Sequence, residues 1–222
     1  MMDTALHERQ LARLFAASAL FAWAVWTRAA LEASPVLHIV VQLPALGFAG
    51  WLAGSVAGQK VPALTSAHLN RHGLAGALIA LFAICFWMLP RSIDSALATG
   101  SMEAAKFVSM PLLVGIPLAL SLPRMGPVLR GIVKANTLSM LAVLSWIYQA
   151  APIRICNSYL VDQQRDLGLV LFTAAILLAL FWGAGALRGP ANRTEDQGKS
   201  AAPSAGGGTT DNEFATPHWS SQ

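Results

Sequence analysis

Few side chains in this 222-residue sequence have the chemistry for a site, and they gather in three places. His38 and Gln42 are four apart, a spacing that sets both on one helix face. An imidazole there suits a metal ligand or a proton acceptor oriented by Gln42, and it equally suits a headgroup-level position bonded to water or a neighbouring loop. The second group follows Trp87 and Pro90 and contains Arg91, Asp94, Glu103 and Lys106. Glu103 and Lys106, three apart, read as a surface ion pair, with pairing of Glu103 to His38 or Arg154 as the alternative. The third is the stretch PIRICNSYLVDQQRDLG, which carries Arg154, Cys156, Tyr159 and Asp162.

Other candidates are thinner. His68 and His72 have the i, i+4 spacing of a helical metal pair, but two ligands do not complete a site, and no HExxH pattern accompanies them. A solvated loop around Arg71 is the plainer reading. Met88 and Met102 are soft donors whose default role is packing. Cys85 and Cys156 form no CxxC motif, and a bridge between them requires Cys85 to lie near the outer end of its span. Neither a GxSxG elbow, a GxxxxGK[ST] loop nor a GxGxxG turn occurs. The expectation is a protein that is not an enzyme.

The elements that position these groups follow from composition. Hydrophobic residues make up 55% of the chain and charged residues 12%, against roughly 25% charged in a soluble domain. This excludes an ordinary water-soluble globule and predicts an all-α polytopic transmembrane bundle of about six spans within residues 1–188. The spans run approximately Leu11–Thr27, Val36–Ala57, Gly73–Leu89, Phe107–Leu122, Ile132–Ala150 and Leu167–Leu187. The first reads as a retained helix and not a signal peptide, since Arg28, Glu32 and Pro35 lead directly into the second. Ten Lys and Arg fall on one side and five on the other. That bias places both termini in the cytoplasm of a cell whose inner membrane holds the protein.

Residues 189–222 are rich in Gly, Ser, Thr, Pro and Ala, which predicts a disordered cytoplasmic tail. The net charge of +4 is spread over loops and implies a lipid bilayer partner, not nucleic acid. Gly47, Gly50 and Gly54 form a small-residue stripe in the second span, suited to close helix contact. Polar residues inside spans are few: Gln42, Asn136, Thr137 and Ser139. On the predicted topology, Gln42, Trp87, Pro90, Asp94, Glu103, Arg154 and Asp162 form a polar cluster on the outer face, beside His38.

The segments HIVVQLPALGFAGWLAG and FWMLPRSIDSALATGSMEAAKFVSMPLL resemble the CtaG-type family of cytochrome c oxidase assembly membrane proteins. Trp87, Leu89, Pro90, Asp94, Ala96 and Leu97 match its middle stretch, and His38 matches the first histidine of its HMxxHM-like motif. Gln42 stands where the second histidine would be, Met88 where a histidine often follows the tryptophan, and Glu103 and Lys106 in the region of the later histidines. The resemblance implies an accessory or assembly role toward a respiratory oxidase subunit, with copper as the implied cofactor and His38 as the implied metal ligand. The alternative reading is a small-molecule carrier or quinone-interacting membrane protein.

Overall fold

The computed structural model describes residues 2–60, 70–151 and 158–187. Every regular element among them is helical. Helix α1 covers Met2–Trp26 and the short α2 Arg28–Glu32. Helix α3, Leu43–Lys60, is entered through a π-helical turn, Leu37–Gln42. Helices α4, Leu74–Met88, and α5, Pro90–Ala98, are bent 70° from one another. Helix α6 runs Gly100–Arg124 and contains a second π-helical turn, Met110–Gly115. Helices α7, Pro127–Ala150, and α8, Val161–Leu187, complete the order.

Four of these helices are long and apolar enough to cross a membrane: Leu37–Gly58, Gly100–Arg124, Pro127–Ala150 and Val161–Ala186. The bent α4–α5 pair makes a fifth if it counts as one span. Helix α4 alone has 15 residues and reaches only about 22 Å at 1.5 Å per residue, short of a hydrocarbon core of about 30 Å. Helix α1 is not among the four, because its first half carries Asp3, Glu8, Arg9 and Arg13. The expected tail, residues 189–222, lies outside the described residues, as do Arg154, Cys156 and His68.

Both π turns end two residues before a proline, Pro44 in α3 and Pro117 in α6. Proline has no N–H for the carbonyl four residues back and crowds it, so a regular helix cannot continue unchanged. Here the turn widens instead: Leu43 N–H donates to His38 O and Ile116 N–H to Pro111 O, each spanning five residues. One extra residue per turn rotates the chain by about 100° relative to a straight helix.

The two widened helices meet. A Cβ on Gly50 would collide with the Pro111 backbone, and one on Gly115 with the backbone of Gly47 and Gly50. The glycine stripe therefore brings α3 and α6 into backbone contact. Around this seam pack Ala24, Leu43, Leu46, Ala80, Trp87, Phe107, Met110 and Val114. A second cluster, Ile39, Ile93, Tyr148, Tyr159, Leu167 and Leu171, attaches α7 and α8. At the far end Gly73 adopts a φ of 73° before α4, and Asn70 joins that turn to Ser121 of α6 (2.8 Å).

By contact, the described residues up to Leu180 form one compact unit, and the last turns of α8, from Phe181, fall outside it.

Candidate functional site

The end of the bundle near the first π turn holds a buried polar network. His38 and Gln42, four apart in that turn, point inward with 1% and 0% exposure. Gln42 Nε2 donates to Glu32 Oε1 (3.1 Å). Lys106 of α6, 0% exposed, donates to the same oxygen (2.5 Å) and to Gln42 Oε1 (3.2 Å). Tyr159 OH donates to the Glu32 backbone carbonyl (3.0 Å) and lies 3.1 Å from His38 Nδ1. With the phenol proton given to Glu32 O, Nδ1 carries the imidazole proton.

Glu32 is the hub, joining the first π turn, α6 and the Tyr159 segment through its side chain and its backbone. The carboxylate neutralises the Lys106 ammonium, and Gln42 bridges both. No buried side-chain nitrogen or oxygen among the described residues lacks a partner. This satisfies the condition on which a buried charge is tolerated. Helix α2 is tied to α6 a second time by Arg28–Glu103 (3.0 Å), with Arg28 largely exposed.

The supports are local. Asp94 Oδ1 accepts the Ser158 N–H (3.0 Å), and buried Gln164 donates to Tyr159 O (3.4 Å). Leu160 N–H is received by Gln163 Oε1 (3.1 Å). Together they fix the segment that aims Tyr159 at Glu32.

Of the residues expected on one polar face, His38 and Gln42 enter the network. Glu103 pairs with Arg28 and not with Lys106 or His38. Trp87 is buried and donates to Ser109 Oγ (2.8 Å), so it is a packing residue with a satisfied indole. Pro90 is the first residue of α5, where its missing N–H costs nothing. Asp162 is exposed in the first turn of α8 and complements its dipole. Arg154 falls outside the described residues. Glu32, Lys106 and Tyr159 complete the network; the sequence puts all three on the outer side of the predicted topology but does not link them to His38 and Gln42. The signal was available for one link: a lysine entering an apolar span needs a carboxylate at the same depth, and Glu32 is one of few.

The donor set does not fit copper. His38 is the one imidazole in the network; its Nδ1 is engaged by Tyr159, and Gln42 beside it holds an ammonium. Among the described residues no three His, Cys, Asp or Glu side chains stand close enough together to hold a metal ion. Cys85 is a free thiol on the exposed surface of α4.

Beside the network lie apolar cavities. One of about 430 Å³ is lined by Ile39, Leu43, Phe48, Trp51, Trp87 and Met110, among others. Two more, of about 280 and 220 Å³, lie between α4 and α7 and share Leu81, Ile84, Asn136 and Thr137. The larger extends to Leu171, Ala174 and Leu178 of α8.

No known protein family, curated protein or solved structure matches this chain. The fold and site define a class only: an all-helical protein with several helices able to span a membrane, locked at one end by a buried ion-pair network.

Proposed function

We propose that the protein is an integral inner-membrane accessory or assembly factor for a respiratory complex of the haem-copper oxidase type, acting by docking and not by copper transfer. The carrying observation is the closed network of Glu32, Lys106, Gln42, His38 and Tyr159, in which each named group already serves another. A self-satisfied knot rigidifies one end of a bundle and offers a fixed surface to a partner subunit. In this reading, drawn from the charge bias, this end faces outside and both termini lie in the cytoplasm, with α1 and the bent α4–α5 pair completing six spans. The resemblance of residues 37–54 and 86–113 to the CtaG-type family supplies the respiratory context.

Deletion in the native host tests this, with oxidase activity and reduced-minus-oxidised membrane spectra recorded with and without added copper. The expected result is oxidase loss that copper does not reverse and that the wild-type chain restores. Unchanged oxidase overturns the reading, and rescue by copper overturns its docking form.

A second reading, a protein that engages a lipid-soluble small molecule such as a quinone, is favoured by the crevice between α4 and α7.

A further inference from the structure

The two cavities between α4 and α7 form one crevice. Their lining runs from Leu129 to Leu144 on α7 and from Leu74 to Met88 on α4, about 22 Å at 1.5 Å per residue. The walls are aliphatic and carry no charged side chain. Asn136 and Thr137 line both cavities, at the point where the two meet. Asn136 is nine residues into α7, about 13 Å from its first residue, and is exposed to the crevice. Thr137 gives its proton to Val133 O (2.9 Å) and keeps lone pairs to accept. The Asn136 amide makes no hydrogen bond to any described residue. Inside a membrane such a group wants a partner, because no water competes for it.

Size selects the occupant. At about 25 Å³ per non-hydrogen atom, the ratio for a benzene ring held in a cavity of roughly 150 Å³, cavities of about 280 and 220 Å³ hold on the order of eleven and nine such atoms. A transmembrane helix has more than a hundred and is excluded. A glycerolipid places a charged headgroup within a few bonds of its ester carbonyls, and no basic side chain lines the crevice to receive a phosphate. An uncharged ring bearing carbonyl oxygens, joined to a hydrocarbon tail, fits the volume, the neutrality and the single amide. The 430 Å³ cavity, by contrast, has no asparagine, threonine or charged residue in its lining.

We propose that the α4–α7 crevice binds the ring and proximal tail of a prenylated quinone, with the Asn136 amide donating to a ring carbonyl and the remaining tail leaving toward the bilayer. In the reduced form the ring hydroxyls donate instead, to Thr137 Oγ1 or, once the amide has flipped, to Asn136 Oδ1. This rests on the second reading above, is a binding site only, and is independent of the docking role.

The test is native mass spectrometry of the full-length, delipidated protein in detergent, titrated with a decyl-substituted benzoquinone and, separately, with phosphatidylethanolamine. Expected is a one-to-one quinone adduct whose apparent affinity falls about tenfold in Asn136→Leu, the loss of one hydrogen bond, and is abolished in Leu81→Trp, which fills the wall common to both cavities. Phe48→Leu, in the other cavity, leaves it unchanged. Leucine at 136 suits an apolar span, so that variant keeps the test valid if Leu81→Trp fails to fold. No adduct with the wild type overturns the quinone reading together with the site. Adducts of equal strength in wild type and both crevice variants overturn the site while leaving quinone binding standing. Phosphatidylethanolamine bound as tightly and with the same sensitivity to Asn136→Leu overturns the quinone as occupant.

Discussion

Glu32→Gln and Lys106→Met act on the same contact, yet they should differ several-fold in cost. Lys106 is fully buried, whereas the Glu32 side chain keeps 14% of its surface exposed. Glu32→Gln leaves an ammonium held only by neutral amides, and a buried charge stripped of its partner costs about 3–5 kcal/mol. Lys106→Met removes the charge itself, keeps a similar length, and leaves a carboxylate that reaches water on its open side. Its cost is that of one weakened hydrogen-bonded group, about 1–2 kcal/mol. The double variant removes both charges and should lie within about 1 kcal/mol of Lys106→Met, giving a coupling of about 3 kcal/mol. Thermal unfolding in detergent, followed by monodisperse elution and tryptophan emission, reads this as a drop of about 10 °C for Glu32→Gln and under 5 °C for the other two. A Lys106→Met protein as unstable as Glu32→Gln, or a double variant worse than either, would refute the claim that the uncompensated ammonium dominates.

Gly50→Val should abolish stable expression, since its Cβ would sit inside the Pro111 backbone, while Gly47→Ala, whose Cβ would lie 3.8 Å from Val114, should be tolerated; the fraction recovered as monodisperse protein checks both. Tyr159→Phe strips one donor from the Glu32 carbonyl and the acceptor from His38 Nδ1, and a loss of about 1–3 kcal/mol is expected in the same unfolding assay. Arg28→Ala breaks an ion pair whose arginine is 55% exposed, so its effect should stay below about 1 kcal/mol. A larger shift would mean that α2 is held mainly from its exposed side.

Helical character and four of the six expected spans were legible because composition and run length speak directly to them. Span ends were less so: Phe107–Leu122 stops short of Gly100, because Glu103 and Lys106 read as loop residues when their partners on α2 are unseen. The same blindness affected the site. Spacing placed His38 and Gln42 on one face, and they do share one, although the turn between them is π-helical. It could not show that Tyr159, 121 residues away from His38, returns to meet them, since loop length does not fix helix order. The Glu103–Lys106 pairing expected from a three-residue spacing gives way to Arg28–Glu103 and Glu32–Lys106, because two charges on α2 face two on α6. The π turns had a signal in Pro44 and Pro117, but a proline inside an apolar run predicts a kink as readily as a widened turn.

The Glu32–Lys106 pair also bears on how the chain enters its membrane. A lysine in a translocating helix costs most at the centre, about 2.5–3.5 kcal/mol, and less near an end, as at Lys106, the seventh residue of α6; α6 spends part of its apolar length on Ser109, Pro111 and Pro117 as well. Helix α2 and its carboxylate emerge from the ribosome some seventy residues earlier, so the counter-charge is waiting when α6 arrives. A counter-charge already in place would let the earlier helices receive α6 laterally, the salt bridge closing during biogenesis. A ribosome-bound chain lacking the carboxylate at position 32 would stall at this helix and not at the more apolar α8.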